Sequence, residues 1–435
     1  MRSCGCIIIG GGPSGFMAAF KAAEAGKEVI VLEKNKKPLK KLYATGNGKC
    51  NFTNENMSEA AFNKNAENIV KYALERFSYK DTIAFFKGLG IETYNREGYI
   101  YPKSEEAASV ANALVREAKK RKIKIKCDSA VLDIEFKDKG KVKGYIVYTD
   151  DETYFTKYLV IATGGLASPV HGSTGDGFRM LSELGVKSGY LSPALCPVEL
   201  DLSKKLLKLW DGVRFRGDIK LNKMDASENG ALTCLCSAEG EMVLTKYGIS
   251  GIPVFEVSRH IENFEGDMSG KEKPCHNDEY VLYIDFCKDL DKTYLESYIS
   301  NILNNYPDEK TEFLLNGLVN QKLAYFMFKY LGIDENKVLK DVTEAEINNL
   351  LKALTCFEVK VLQTLGFDRA QVTHGGVELS EINLETLELN NCPNLFVTGE
   401  LVDVDGICGG YNLQWAWSSG YMAGNAIVEK IQKEK

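Results

Sequence analysis

Nowhere in its 435 residues does the chain hold a run of about 18 apolar residues, so no segment is expected to span a membrane as a helix. The apolar run near the N-terminus is too short for a signal peptide and breaks directly into glycines. There are 12 cysteines, but Cys4/Cys6 and Cys234/Cys236 are the close pairs, and neither C-x-x-C nor a zinc spacing occurs. That excludes a disulfide scaffold, leaves no metal site to predict, and reads as the reduced thiols of a cytoplasmic protein. Positive charge is in deficit: 54 Lys and Arg against 60 Asp and Glu leave a net charge of −6. A large nucleic-acid footprint is not expected of such a chain, and a small-molecule substrate is. Histidine is scarce, with four residues, and only His171 and His374 stand beside glycine motifs. Internal repeats and low-complexity segments are absent.

What is present begins at Cys6–Gly15, CIIIGGGPSG. Cys6–Ile9 suits a strand buried on both faces, and Gly10, Gly12 and Gly15 then fall at the spacing G-x-G-x-x-G. A helical run, Ser14–Ala25, follows, and a second strand, Glu28–Leu32, ends in Glu33. Gly10 permits the tight turn, Gly12 lets a pyrophosphate approach the backbone, and Gly15 lets helix and strand pack closely. The start of the helix, with Pro13 and Ser14, then faces the phosphates, and the acid about 20 residues on suits a ribose diol. Strand, helix, strand and acid in that order predict a dinucleotide site, with Lys34 flanking the adenine. Lys34, Lys36, Lys37, Lys40 and Lys41 cluster next, either as a solvated loop or as help with phosphates.

Further on, Thr45–Asn54, TGNGKCNFTN, is too polar to serve packing and suits a phosphate or a polar cofactor edge. Helical runs are predicted at Lys64–Phe77, Tyr79–Leu89 and Ser104–Arg121, the last capped by Ser104, with a hairpin at Tyr94–Tyr101. Strand patterns over Ile123–Phe136, Gly144–Tyr148, Tyr154–Phe155 and Tyr158–Ile161 form a meander running into Ala162-Thr163-Gly164-Gly165. From about Ser192 the texture changes to short strands (Val198–Leu200, Phe215–Leu221, Ala231–Leu235, Glu241–Leu244, Val281–Asp285). Helical stretches accompany them at Gly251–Asn263, Leu290–Asn304, Thr311–Leu331 and Glu344–Leu354, with a polar loop at Glu265–Asn277. This predicts a discontinuous first domain, 1–191 with 366–435, and an inserted substrate-cap domain, 192–365, with a helical block near 290–355. The terminal helix, about Leu413–Lys433, carries Ala416, Gly420 and Gly424 on one face, for close approach to a strand or a cofactor.

Three stretches together, GGGPSG from Gly10, TGNGKCNFTN from Thr45 and GELVDVDGICGGYNLQWAWSSG from Gly399, resemble one family of bacterial flavoproteins. That family includes aminoacetone oxidase and reductases of dehydro-bile acids, and the resemblance extends over the whole chain. It implies an α/β fold with a glutathione-reductase-type, Rossmann-like FAD-binding domain and an inserted β-barrel plus helices. It further implies non-covalent FAD, with NADH or NADPH as a transient co-substrate. On this footing Gly48, Lys49, Cys50, Thr163, Gly164, Asp405, Gly410, Asn412 and Leu413 join the cofactor site. Val131 would meet the adenine through its backbone, and Glu400 would hold the ribityl chain or a phosphate. Three positions depart from the family pattern: Lys49 replaces an arginine, Cys408 a threonine, and His374 a small residue.

Cys50 stands alone in its stretch, so the paired-thiol chemistry of disulfide reductases is excluded. No second G-x-G-x-x-G unit exists for a dedicated nicotinamide domain. The expected activity is hydride transfer through flavin N5, by NAD(P)H-driven reduction of a conjugated C=C of an enone such as a steroid or bile acid. His374 and Tyr411 are the candidate proton donors. The alternatives are oxidation of a small amine, flavin-dependent RNA modification and a non-catalytic redox sensor.

Overall fold

The computed structural model describes residues 1–139, 142–224, 232–261 and 279–434. The expected polar loop at 265–277 lies outside them. The chain divides into two compact units, Met1–Ser192 with Gln371–Lys435, and Pro193–Ala370.

In the first unit β1 (Arg2–Ile9) is the central strand, and Ile7 and Ile8 are fully buried, as the apolar run requires. Helix α1 (Pro13–Ala23) starts directly after the glycine turn, with Pro13 at its first position, where a missing N–H costs nothing. Strand β2 (Val29–Leu32) pairs parallel to β1, and β3 (Lys124–Lys126) pairs parallel to β2. The expected Ile123–Phe136 strand is two strands, β3 and β4 (Val131–Lys139). Asp128, at φ +49°, lies in the turn that breaks it. With β5 (Val142–Thr149) and β6 (Thr153–Ile161), β4 forms the antiparallel meander. One edge of β6 pairs with β1 along its length; the other meets β5 at Thr153–Thr156 and β7 (Leu395–Val397) at Leu159–Ile161. The C-terminal segment therefore closes the sheet begun by the first ten residues. Helix α2 (Tyr411–Lys433) packs on α1.

Helix Ala107–Lys120 starts later than expected, and Ser104 does not cap it. Glu105 turns the chain at φ +54°, and the Ser104 hydroxyl accepts only from the Glu106 amide, at 3.4 Å.

The second unit is a closed six-stranded barrel with helices. Its strands are Val198–Leu200, Arg214–Met224, Leu232–Thr245, Gly248–Gly251, Glu279–Asp285 and Phe357–Thr364. The two short strands read around Leu235 and Leu244 are one 14-residue strand, continued through Gly240, which pairs with Gly217. Phe357–Thr364 was not foreseen, although Phe357, Val359 and Val361 alternate inward as a barrel strand demands. The Thr311–Leu331 run is broken into a 3-10 turn, Thr311–Leu315, and a helix, Gln321–Leu331, which the Asn320 side chain caps. Trp210 stacks on Phe326 at 4.1 Å in this unit's own core. No helix among the described residues is long and apolar enough to cross a membrane.

Candidate functional site

A cavity of about 410 Å³ opens in the first unit at the C-terminal ends of β1, β2 and β6. The glycine turn, Glu33, Lys34, Val131, Thr163, Gly164, Glu400, Asn412 and Leu413 all line it, together with Pro13 and Ser14. Gly10 holds φ +105°, and a Cβ there would strike the Ala162 carbonyl oxygen at 2.4 Å. A Cβ on Gly15 would strike the Gly10 carbonyl oxygen at 2.1 Å, so Gly15 serves packing and does not itself line the cavity. A Cβ on Gly12 would come no nearer than 4.0 Å to any described atom; that space is open. The amides of Ser14 and Gly15 stand in the first turn of α1 without intrahelical acceptors, the arrangement that takes a phosphate. Leu32, Leu132 and Met180 add apolar wall. Open space at Gly12, free amides beside it and an apolar region suited to a planar base fit a dinucleotide such as FAD.

Glu33 is 7% exposed and more committed than the motif implies. One carboxylate oxygen accepts from the Gly11 amide at 2.9 Å, the other from the Asn35 amide at 2.7 Å and side chain at 2.8 Å. It ties the end of β2 to the glycine turn as well as facing the cavity. Lys34 pairs with Asp176 at 2.5 Å and also donates to Thr174. Lys40 and Lys41 of the lysine cluster bring positive charge to the cavity wall. Glu400 accepts from the Thr373 amide and hydroxyl, both at 2.9 Å, and pairs with Lys41 at 2.7 Å. Its carboxylate positions a cation on the wall.

Several expected cofactor residues lie elsewhere. Gly48, Lys49 and Cys50 do not line the cavity. Lys49 reaches outward to Glu105 at 2.6 Å, and Cys50 is fully buried at φ +60°, its thiol pushed up to about 12 by burial. Thr45 is the residue of that stretch on the cavity wall. Gly410, at φ +93° and against the Thr53 carbonyl, is the N-cap of α2 rather than cavity lining. The Asn412 side chain does not cap that helix: it accepts from the Gly406 amide at 2.8 Å and donates to the Gly406 carbonyl at 2.9 Å, clamping the preceding loop. Asp405 is 1% exposed and lies 2.7 Å from His374 Nδ1, so it orients that ring instead of lining the cavity. Burial, with Asp405 among the charges nearby, holds the Asp403 carboxyl above the usual carboxylate range. The Tyr411 ring is buried against Phe62 and its hydroxyl donates to the Asn56 carbonyl at 3.4 Å, away from the cavity lining.

Sequence reasoning missed Asn35, His171, Arg179, Gln371 and Trp415 as cavity residues. His171 carried a signal, standing just before the Gly172–Gly177 turn, and Trp415 lies within the glycine-rich stretch that begins at Gly399; Asn35, Arg179 and Gln371 lie in stretches without a motif.

Sheet, glycine turn and closing helix define a mixed α/β protein with a Rossmann-type FAD-binding domain of the glutathione-reductase kind, carrying an inserted closed barrel. The family model described as "HI0933-like protein Rossmann domain" matches residues 4–426, and the chain belongs to that family. It is 36% identical over 425 residues to a 3-dehydro-bile acid delta(4,6)-reductase of Clostridium scindens, covering 97% of this chain and 98% of that protein. It is 29% identical over 427 residues to a ribosomal RNA dihydrouridine synthase of Haemophilus influenzae, covering 97% and 98%. In fold it is similar to the 3-ketosteroid delta1-dehydrogenase of Sterolibacterium denitrificans, with a TM-score of 0.51 at 12% identity, over 99% of this chain and 100% of that one.

Proposed function

We propose that this FAD-dependent oxidoreductase reduces a carbon–carbon double bond conjugated to a carbonyl, with NADH or NADPH as electron donor and a steroid-like small molecule as substrate. The observation that carries the reading is the 36% identity to the bile-acid reductase, sustained over 97% of the chain and so across both units. The second named activity points to the same reaction class, because dihydrouridine is uridine with its carbonyl-conjugated double bond reduced. In balance, NAD(P)H and one proton become NAD(P)⁺, and two hydrogens add across the double bond. Bound FAD would supply the two-electron carrier between nicotinamide and the β-carbon.

The residues named above would hold it: the free amides of Ser14 and Gly15 would take the pyrophosphate, and Glu33 would face the ribose. The open first turn of α2 at Asn412 and Leu413 offers positive dipole to the flavin. His374, itself off the cavity lining but two residues beyond Val372 on the wall, is the proposed proton donor. Asp405 at Nδ1 orients the ring, and the imidazolium form would deliver a proton to the α-carbon. Tyr411, with its hydroxyl bonded to the backbone, drops out of that role. A small-molecule substrate is favoured over RNA by the net charge of −6.

Anaerobic stopped-flow spectroscopy tests the proposal. NADH or NADPH should bleach the flavin, and a conjugated steroid ketone should restore its colour far faster than dioxygen does. Bleaching by a small primary amine, followed by rapid reaction with dioxygen, would make the protein an amine oxidase instead.

A further inference from the structure

His171 ends the short turn Pro169–His171 and lines the same cavity as the glycine turn. Its backbone is held on both sides. Its amide donates to the Ser168 carbonyl at 2.9 Å, and its carbonyl accepts from the Asn35 side chain at 3.4 Å. Gly172, at φ +106°, is pressed against that same Asn35: a Cβ there would lie 2.4 Å from the amide nitrogen. Asn35 is anchored in turn on Glu33. Yet the ring nitrogen Nδ1 is buried and has no hydrogen-bond partner among the described residues. A buried polar atom without a partner is unfavourable unless something else supplies one.

The charged groups of the cavity wall are already engaged within the chain. Glu33 accepts from Gly11 and Asn35, Lys34 pairs with Asp176, Arg179 with Glu183 and Lys41 with Glu400, and Lys40 donates to the Val170 carbonyl. Burial, together with Lys40 and Lys41, holds the imidazole's pKa below its ordinary value, which favours the neutral ring.

We propose that His171 is a cofactor-binding residue whose Nδ1 takes an oxygen of the bound dinucleotide's phosphate–ribose backbone. The inference rests on the FAD reading above. A phosphate oxygen would draw a proton onto the ring, because the incoming anion offsets the two lysines; a ribose hydroxyl would bond the neutral ring.

The test uses full-length protein stripped of flavin and titrated with FAD, with the dissociation constant read from flavin fluorescence. His171→Leu keeps the bulk and removes the nitrogen, whereas His171→Asn places an amide close to where Nδ1 stands. The leucine variant should bind FAD roughly 5- to 20-fold more weakly, the range for one hydrogen bond to a polar or charged group, and asparagine should restore most of it. Thermal unfolding of the flavin-free leucine variant should be no lower than wild type, because an unpartnered polar atom has been replaced by an apolar one. Titration between about pH 8 and pH 6, spanning the ordinary histidine range, separates the two oxygens. With phosphate, wild-type affinity rises as pH falls and the leucine variant loses that slope; with ribose the two slopes match. Wild-type affinity in the leucine variant would overturn the proposal. A wild-type protein that takes up no FAD would overturn the flavin reading instead.

Discussion

Gly12 and Gly15 lie in one turn yet should fail differently. Valine at position 12 enters open space, so Gly12→Val should fold, unfold at an ordinary temperature and purify without flavin colour. Valine at position 15 meets the Gly10 carbonyl, so Gly15→Val should lose folded yield itself. A yellow Gly12→Val protein would refute the pyrophosphate assignment. Glu33 is a second case where the structure changes the expectation. Because its carboxylate serves three N–H groups inside the chain, Glu33→Ala should lower the stability of the flavin-free protein by about 1–3 kcal/mol, besides weakening FAD. Calorimetry of flavin-free protein checks this; an unchanged transition would return Glu33 to a purely ligand-facing role. Cys50 should stay unalkylated by iodoacetamide at pH 8, since its thiol is pushed up to about 12 by burial, while exposed Cys234 and Cys356 react. Peptide mapping of the native protein reads the outcome, and early labelling of Cys50 would contradict it.

At the scale of elements, the closing helix α2 decides whether the glycine turn is held in place. Its small-residue stripe was legible as a surface for close approach, but its partner is helix α1. A Cβ on Gly420 would lie 2.2 Å from the Ser14 carbonyl oxygen, and one on Gly424 2.6 Å from that of Ala18. Gly420→Ala must therefore move α1 at the residue that opens toward the cavity. A destabilisation of about 1–3 kcal/mol is expected from such overpacking, with weaker FAD binding, and urea unfolding with and without FAD measures both. An alanine variant equal to wild type in both would mean that the helices separate without consequence. Nearby, Gln414 is completely buried and fully used: its carbonyl accepts from Thr53 and Thr82, and its amide donates to the Phe77 carbonyl and to Ser418. That network pins the second glycine-rich stretch to α2, and no spacing in the sequence announces it.

For the whole molecule, the described residues that line the cavity all belong to the first unit, while the barrel unit keeps a core of its own. Calorimetry should resolve two transitions, of which FAD raises one. At a free concentration 100-fold above the dissociation constant that unit gains about 2.7 kcal/mol. A single transition moved as a whole by FAD would show that the units unfold together.

The sequence by itself determined the parts that depend on local chemistry. The glycine turn, the strand before it, the acid after β2 and the small face of α2 are legible because each follows from what one residue's backbone or side chain allows at its own position. The barrel was legible as a change of texture, and its sixth strand could have been read from the alternation of Phe357, Val359 and Val361. Only the tertiary structure decided which residues of each polar stretch face the cavity. Thr45 does and Lys49 and Cys50 do not, because the left-handed backbone at Asn47 and Cys50 turns successive side chains in different directions. It also decided that Glu400 holds Lys41, that Asp405 serves His374, and that His171 comes beside Asn35 from 136 positions away. Such pairings are set by how strands order themselves in the sheet. That order depends on burying β1 and β6 on both faces at once, which no stretch of sequence specifies alone.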